Sequence, residues 1–227
     1  MCIASRLALR PARGRLRCGA CFRVGVRASF RKPVELGVKC IRDTEMAMNV
    51  LTICGSLRKA SFTAAIARAL PALAPAWATI EPLPSVGEIP LYNHDVQDKG
   101  FPPIVATAAE AIRKADGVII VTPEYNHSIP GVLKNAIDWI SRLPNQPFGG
   151  KPLALESSSP SLFGGLRAQL HLRHIFVYLD GRILNKPEVI IPQVNTKIDV
   201  ATGELTDPAT RGFIADQLKA FADFARA

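Results

Sequence analysis

The stretch Gly117-Val118-Ile119-Ile120-Val121-Thr122 constrains the fold more than any other part of the chain. It is short, apolar at successive positions, and lacks the in–out alternation of a strand with one wet face. It therefore reads as a strand covered on both faces, which places it in a parallel sheet sandwiched between helices. The surrounding sequence alternates in the same sense. Strands are predicted over residues 49–54, 77–83, 117–122, 152–156 and 188–191. Helices are predicted over 62–74, with Ser61 as N-cap, over 102–115, from Pro130 onward, over most of 162–179, and over 207–226. The expected fold is a three-layer α/β sandwich with a five-stranded parallel sheet, formed as one domain by residues 48–227. Ligands of such sheets bind at the carboxyl ends of the strands near the switch point. The loops after the first, third and fourth strands should therefore meet.

Charge separates this domain from what precedes it. The formal net charge is +9, but residues 1–47 hold eleven Arg or Lys against three acids, which leaves residues 48–227 near neutral. No basic face for nucleic acid is implied for the domain. The Arg-rich residues 1–47 show no helical or strand period. They read as an extension, either disordered or not native: a transit peptide, a stretch upstream of the native start at Met46 or Met48, or a nucleic-acid arm. Function is not expected there. Four of the five cysteines also lie there, and the Cys18/Cys21 pair has no second pair at a zinc spacing. A domain with Cys54 alone suits a reducing, cytoplasmic setting. No apolar run nears the roughly 18 residues of a membrane helix. No metal site is expected, since His171 and His174 at i, i+3 have no third ligand in sequence reach.

The three loops carry the chemistry. Residues 55–61, Gly-Ser-Leu-Arg-Lys-Ala-Ser, join a strand to a helix start, where free N–H groups and the positive end of the helix dipole favour an anion. Ser56 and Ser61 add hydroxyls, and Arg58 adds a planar fork suited to phosphate. The same composition also fits an ordinary capped helix beside a solvated Arg-Lys pair. It is neither GxGxxG nor GKS/GKT, so a dinucleotide fold and a P-loop are disfavoured. The second loop, Pro123-Glu124-Tyr125-Asn126, offers a flat aromatic surface and an amide that can pair both ways; a buried Tyr and a turn-forming Asn explain it equally well. The third, from Ser157 to Gly165, is small and flexible and could lie against a planar ligand; taken alone it reads better as a plain serine loop. The long Pro-rich connection after the second strand is a possible site rim. Together the loops describe a grip for a phosphorylated flat heterocycle, and flavin mononucleotide (FMN) fits. Cys54 reads as packing.

The segments GSLRKASF, TPEYNHSIPGVLKNAIDWISRLP and GGLRAQLHLRHIFVYLDGRILNKPE resemble the NAD(P)H-dependent FMN reductase family, in its chromate and quinone reductase branch. The resemblance covers nearly all of residues 49–225. It implies a flavodoxin-like fold, bound FMN, and NAD(P)H as co-substrate. It also implies small-molecule acceptors such as quinones or chromate, and self-association as a dimer or tetramer. Ser56, Arg58, Ser61, Phe62 and Thr63 would surround the phosphate. Pro123, Glu124, Tyr125, Asn126 and Ser159 would meet the ring. No catalytic side chain is implied, because the flavin carries the hydride chemistry. His127 and Ser161 stand where the family often has a large residue and Gly. The alternative is an electron carrier or redox sensor without turnover; carriers are typically acidic, and this domain is near neutral.

Overall fold

A computed structural model describes residues 47–227, and the expectations placed on residues 1–46 lie outside the described residues. The chain runs β1 (Met48–Cys54), α1 (Phe62–Leu73), β2 (Ala78–Pro82), α2 (His94–Gln97), α3 (Pro103–Lys114), β3 (Gly117–Pro123), α4 (Gly131–Ser141), β4 (Pro152–Ser158), α5 (Leu166–Tyr178), β5 (Arg182–Ile183), β6 (Val189–Ile191) and α6 (Pro208–Arg226). Every strand pairing is parallel, in the order β2-β1-β3-β4-β5, with β6 also pairing with β4. This is the flavodoxin-like doubly wound order, whose direction reverses between β1 and β3.

The sheet has five positions, as the sequence suggests, but the last is shared. β5 pairs with the start of β4 and β6 with its end. The interruption falls at Leu184-Asn185-Lys186-Pro187-Glu188, where Pro187 has no N–H to give to a ladder. The two-residue β5 carries no pattern that sequence reading could catch.

Val118, Ile119, Ile120 and Val121 of β3 are all fully buried, so both faces are covered. Val118 and Ile120 point into one core with α3, α4 and α5, built around Leu133, Trp139, Phe148 and Phe176. Ile119 and Val121 point into a second core under α1 and α6, with Ile66, Leu70, Ile214 and Phe221. Each core is lost if the strand register slips by one residue, because side chains alternate faces. Helix starts follow the local chemistry. Ser61 caps α1 by accepting from the Ala64 amide at 3.2 Å, and Asp207 caps α6 by accepting from the Thr210 amide at 2.8 Å. The observed α5 starts at Leu166, four residues after the predicted start, because Gly164 and Gly165 take φ of +58° and +89°. Such conformations end or precede a helix rather than continue it.

The Pro-rich connection does not line the cleft between the loops. Between its short 3₁₀ turn Val86–Glu88 and α2, it is fastened to α4. Asn135 accepts from the Tyr92 amide at 2.8 Å and donates to the Pro90 carbonyl at 2.9 Å, and the buried Trp139 indole donates to the same carbonyl at 2.8 Å. No helix among the described residues is long and apolar enough to cross a membrane.

Candidate active site

The loops after β1, β3 and β4 meet at the carboxyl edge of the sheet, at the switch point between β1 and β3. They enclose a cleft of about 210 Å³ lined by Ser56, Arg58, Ser61, Phe62, Thr63, Pro123, Glu124, Tyr125, Ser158, Ser159, Pro160 and Val194. Nine of the ten sequence-derived candidates are therefore brought together. Asn126 is the exception.

The first loop is held from below and behind. The Gly55 amide donates to the Val121 carbonyl at 2.8 Å. A Cβ on Gly55 would stand 3.1 Å from Leu133 Cδ2 and 3.2 Å from Thr122 Oγ1, so only a very small residue lets β1 turn here. Leu57 packs on Gly87, whose added Cβ would lie 2.7 Å from a Leu57 methyl. The Ser61 amide donates to the Arg58 carbonyl at 3.1 Å, closing the turn into α1. The amides of Phe62 and Thr63, in the first turn of α1, have no hydrogen-bond partner among the described residues. They face outward at the positive end of a twelve-residue helix. Arg58 is exposed, with its guanidinium 5.2 Å from the Phe62 ring centroid, so it is steadied over an aromatic face but free to bind an anion.

The second loop makes a hairpin turn. Tyr125 and Ser128 exchange two backbone hydrogen bonds, at 2.9 and 3.0 Å, across Asn126 and His127. Both central residues have positive φ, +49° and +64°. That is the primed turn that matches strand twist, and Asn is among the few non-glycine residues that tolerate it. Asn126 thus forms the turn tip and is exposed, while Tyr125 remains in the cleft wall. Glu124 shows its backbone side to the cleft and turns its carboxylate to α5. It accepts from the Arg167 amide at 3.0 Å, the Ala168 amide at 3.3 Å and the Arg167 guanidinium at 3.4 Å. A carboxylate at a helix N-terminus satisfies free amides and the dipole together. Glu124 is in this way the strut between the second loop and α5.

The third loop is small, as its sequence suggests, but tied down rather than flexible. The Ser159 amide donates to the Ile191 carbonyl at 3.1 Å, the Val194 amide to the Ser159 carbonyl at 3.2 Å, and the Ser161 amide to Ser159 Oγ at 3.1 Å. Ser157 Oγ donates to the Gly164 carbonyl at 2.9 Å and accepts from Gln169 at 3.1 Å. Thr63 and Ser158 were joined by no sequence signal, being 95 residues apart. Their hydroxyl oxygens lie 3.0 Å from each other and weld α1 to the end of β4. Val194 enters the wall from the 3₁₀ turn Val194–Thr196 beyond β6, another contact that no local pattern announces.

Other candidates fall outside the cleft. Cys54 is half-buried, donates its thiol to the Ser56 carbonyl at 3.7 Å, and has its pKa pushed up by burial, which disfavours thiolate chemistry. His171 Nδ1 lies 2.9 Å from Ser128 Oγ. Among the described residues no three His, Cys, Asp or Glu gather as a metal site. A larger cavity of about 330 Å³ lies beside α1 but is lined mainly by apolar atoms. The cleft is distinguished by chemistry, not size. Unpartnered first-turn amides, the hydroxyls of Ser56, Ser61, Thr63, Ser158 and Ser159, a guanidinium and the rings of Phe62 and Tyr125 converge there. This donor set fits a phosphate monoester joined to a flat ring.

The sequence profile of the family described as NADPH-dependent FMN reductase matches residues 48–196. The chain is 52% identical over 178 residues to a quinone reductase of Escherichia coli (strain K12), covering 78% of this chain and 95% of that protein. It is 49% identical over 173 residues to an NAD(P)H-dependent FMN reductase of Pseudomonas aeruginosa, covering 76% and 92%. Among solved structures it is similar to FerB, a flavoenzyme NAD(P)H:(acceptor) oxidoreductase from Paracoccus denitrificans. The TM-score is 0.71 at 32% identity, over 79% of this chain and 98% of that one.

Proposed function

Because the chain belongs to the NADPH-dependent FMN reductase family, we propose that it is an FMN-dependent oxidoreductase that passes electrons from NAD(P)H to quinones, with the FMN seated in the cleft between β1, β3 and β4. The observation that carries this reading is the convergence, at the switch point, of the free Phe62 and Thr63 amides with Ser56, Ser61 and Arg58. Those groups hold the phosphate: the amides and dipole by position, Arg58 by charge. Tyr125 and the backbone of Pro123 and Glu124 border the ring on one side and Ser159 on another, with Asn126 holding the turn that sets Tyr125. FMN held there would supply the hydride chemistry between the nicotinamide and the acceptor. The chain's own contribution is binding, orientation and exclusion of side reactions. No titratable side chain of the cleft is needed as nucleophile.

We extend the acceptors to chromate and similar small oxidants, and we place the enzyme in the cytoplasm as a homotetramer or dimer. Self-association is supported by apolar side chains left in water: Leu162 and Phe163 on the third loop and, at the far end of α5, Val177 and Tyr178, the last two 79% and 86% exposed. The electron-carrier alternative lacks the acidic surface that docking on a partner would use. Mass spectrometry of the cofactor released from purified protein tests the assignment. FMN at one per chain is expected; FAD, or no flavin at saturating FMN, contradicts it.

A further inference from the structure

All seven residues of β4 are buried, and one of them is an acid. Alternate residues of a strand point to opposite faces. Leu153 and Leu155 enter the core under α5, and Ser157 bonds Gln169 of that helix. Ala154 enters the core under α1 and α6, and Ser158 meets Thr63 of α1. Glu156 therefore lies on the α1/α6 face, one step below Ser158 and about 7 Å from it along the strand. Val121 and Val189 stand beside it in register. It is fully buried, and neither carboxyl oxygen has a hydrogen-bond partner among the described residues. Gln217 of α6 reaches this face too, but spends its amide on the Leu155 and Pro187 carbonyls and leaves its own oxygen without a donor.

Among the described residues no charge compensates Glu156. β3 and β6 carry no titratable residue. On α1 the titratable group is Arg68, exposed and donating to the Gly203 carbonyl. On α6, Asp216, Lys219, Asp223 and Arg226 are exposed, and Arg211 donates to the Leu205 carbonyl. An ionised carboxylate here would sit in low dielectric, unscreened by counterions, directly beneath the Thr63–Ser158 floor of the cleft.

We propose that Glu156 is a positioning residue for the cofactor: in its neutral form it keeps the floor of the phosphate end free of charge, and its ionisation drives the phosphate-bearing flavin out. This rests on the reading of the cleft as an FMN site. Burial, the sole cause acting on it, pushes the carboxyl up to about 8, so the change falls within the range in which the enzyme can be assayed. The phosphate monoester is already close to dianionic above pH 7 and adds no titration of its own there.

Equilibrium dialysis of the full-length protein against graded FMN or riboflavin, from pH 6.5 to 9.5, tests the proposal. Three proteins are compared: wild type, Glu156→Gln and Cys54→Ala, the last because the half-buried Cys54 thiol is another weak acid at this end of the sheet. For wild type and Cys54→Ala, the FMN dissociation constant should rise about tenfold or more between pH 7 and 9, because like charges repel strongly through protein. For Glu156→Gln it should stay flat, and riboflavin, lacking the phosphate, should stay nearly flat in all three. In wild type the infrared C=O band of a protonated carboxylic acid should be present at pH 7, fade by pH 9, and be missing in Glu156→Gln. An FMN profile for Glu156→Gln that falls in step with wild type overturns the proposal. So does riboflavin falling in step with FMN, or a protonated-acid band absent from wild type at pH 6.5. Failure of wild type to bind FMN at any pH overturns instead the reading of the cleft itself.

Discussion

Glu156→Gln should stabilise the fold, and by an amount that depends on pH in a defined way. The folded carboxyl titrates near 8 because it is buried without a partner, against an ordinary value of 4.5. Below pH 4.5 both folded and unfolded chains hold the proton, so the residue imposes no pH-dependent cost. Between 4.5 and about 8 the unfolded chain releases the proton while the folded chain keeps it. The folded state then binds more protons, and stability falls as pH rises. Above 8 both states are ionised and the cost is constant. At about 1.4 kcal/mol per pH unit over this window the full cost is roughly 5 kcal/mol. Gln is nearly isosteric and has no such titration, though its amide adds a pH-independent desolvation cost of about 1–3 kcal/mol. The expected signature is therefore a slope: little or no gain from Glu156→Gln at pH 5, and a gain several kcal/mol larger at pH 9. Urea unfolding of flavin-free protein at pH 5, 6, 7, 8 and 9 measures it. Two curves that stay parallel across this range would show that Glu156 is not held neutral in the folded protein.

Three further perturbations probe the cleft and its supports. Arg58→Ala should weaken FMN binding about ten- to a hundredfold, as expected for losing a charge-assisted hydrogen bond of about 1.5–3 kcal/mol. Riboflavin binding should barely change, and equal losses for both would move the phosphate assignment to the serines and amides alone. Glu124→Ala removes the acceptor of two α5 amides and a guanidinium. It should cost roughly 2–3 kcal/mol in urea unfolding and loosen flavin binding, with Glu124→Gln recovering part of each. Gly164→Ala puts a Cβ 2.7 Å from the Pro192 nitrogen at a φ of +58°. It should destabilise by about 1–3 kcal/mol or more, and a neutral result would mean the serine loop is not fixed as described.

Much of the fold was legible because its signals are local. The uninterrupted apolar run of β3, Ser61 as a cap, and Pro at helix starts each act within a few residues. The convergence of three loops followed from the parallel sheet alone, and it carried nine candidate residues into one cleft. What sequence could not supply is long-range. The Thr63–Ser158 pair, the fastening of the Pro-rich connection by Asn135 and Trp139, and the entry of Val194 all depend on tertiary placement. Asn126 illustrates competition between two legible signals. Its amide suits a ligand, but its tolerance of positive φ suits a hairpin turn, and the turn is where it stands. Glu156 was visible as the acid that closes an apolar strand, yet its isolation appears only once α1 and α6 are seen to cover it. Pro187 breaks the fifth strand position in two, a split that periodicity over so few residues does not reveal.

The central claim is that a single FMN in this cleft is reduced by NAD(P)H and reoxidised by a quinone. Anaerobic mixing of the flavin-loaded protein with one equivalent of NADPH, and in parallel NADH, followed by one equivalent of benzoquinone, tests it most directly. At least one nicotinamide should bleach the flavin absorbance in a single turnover, and the quinone should restore it in full. A flavin that neither nucleotide reduces, or that stays reduced when the quinone is added, would contradict the claim.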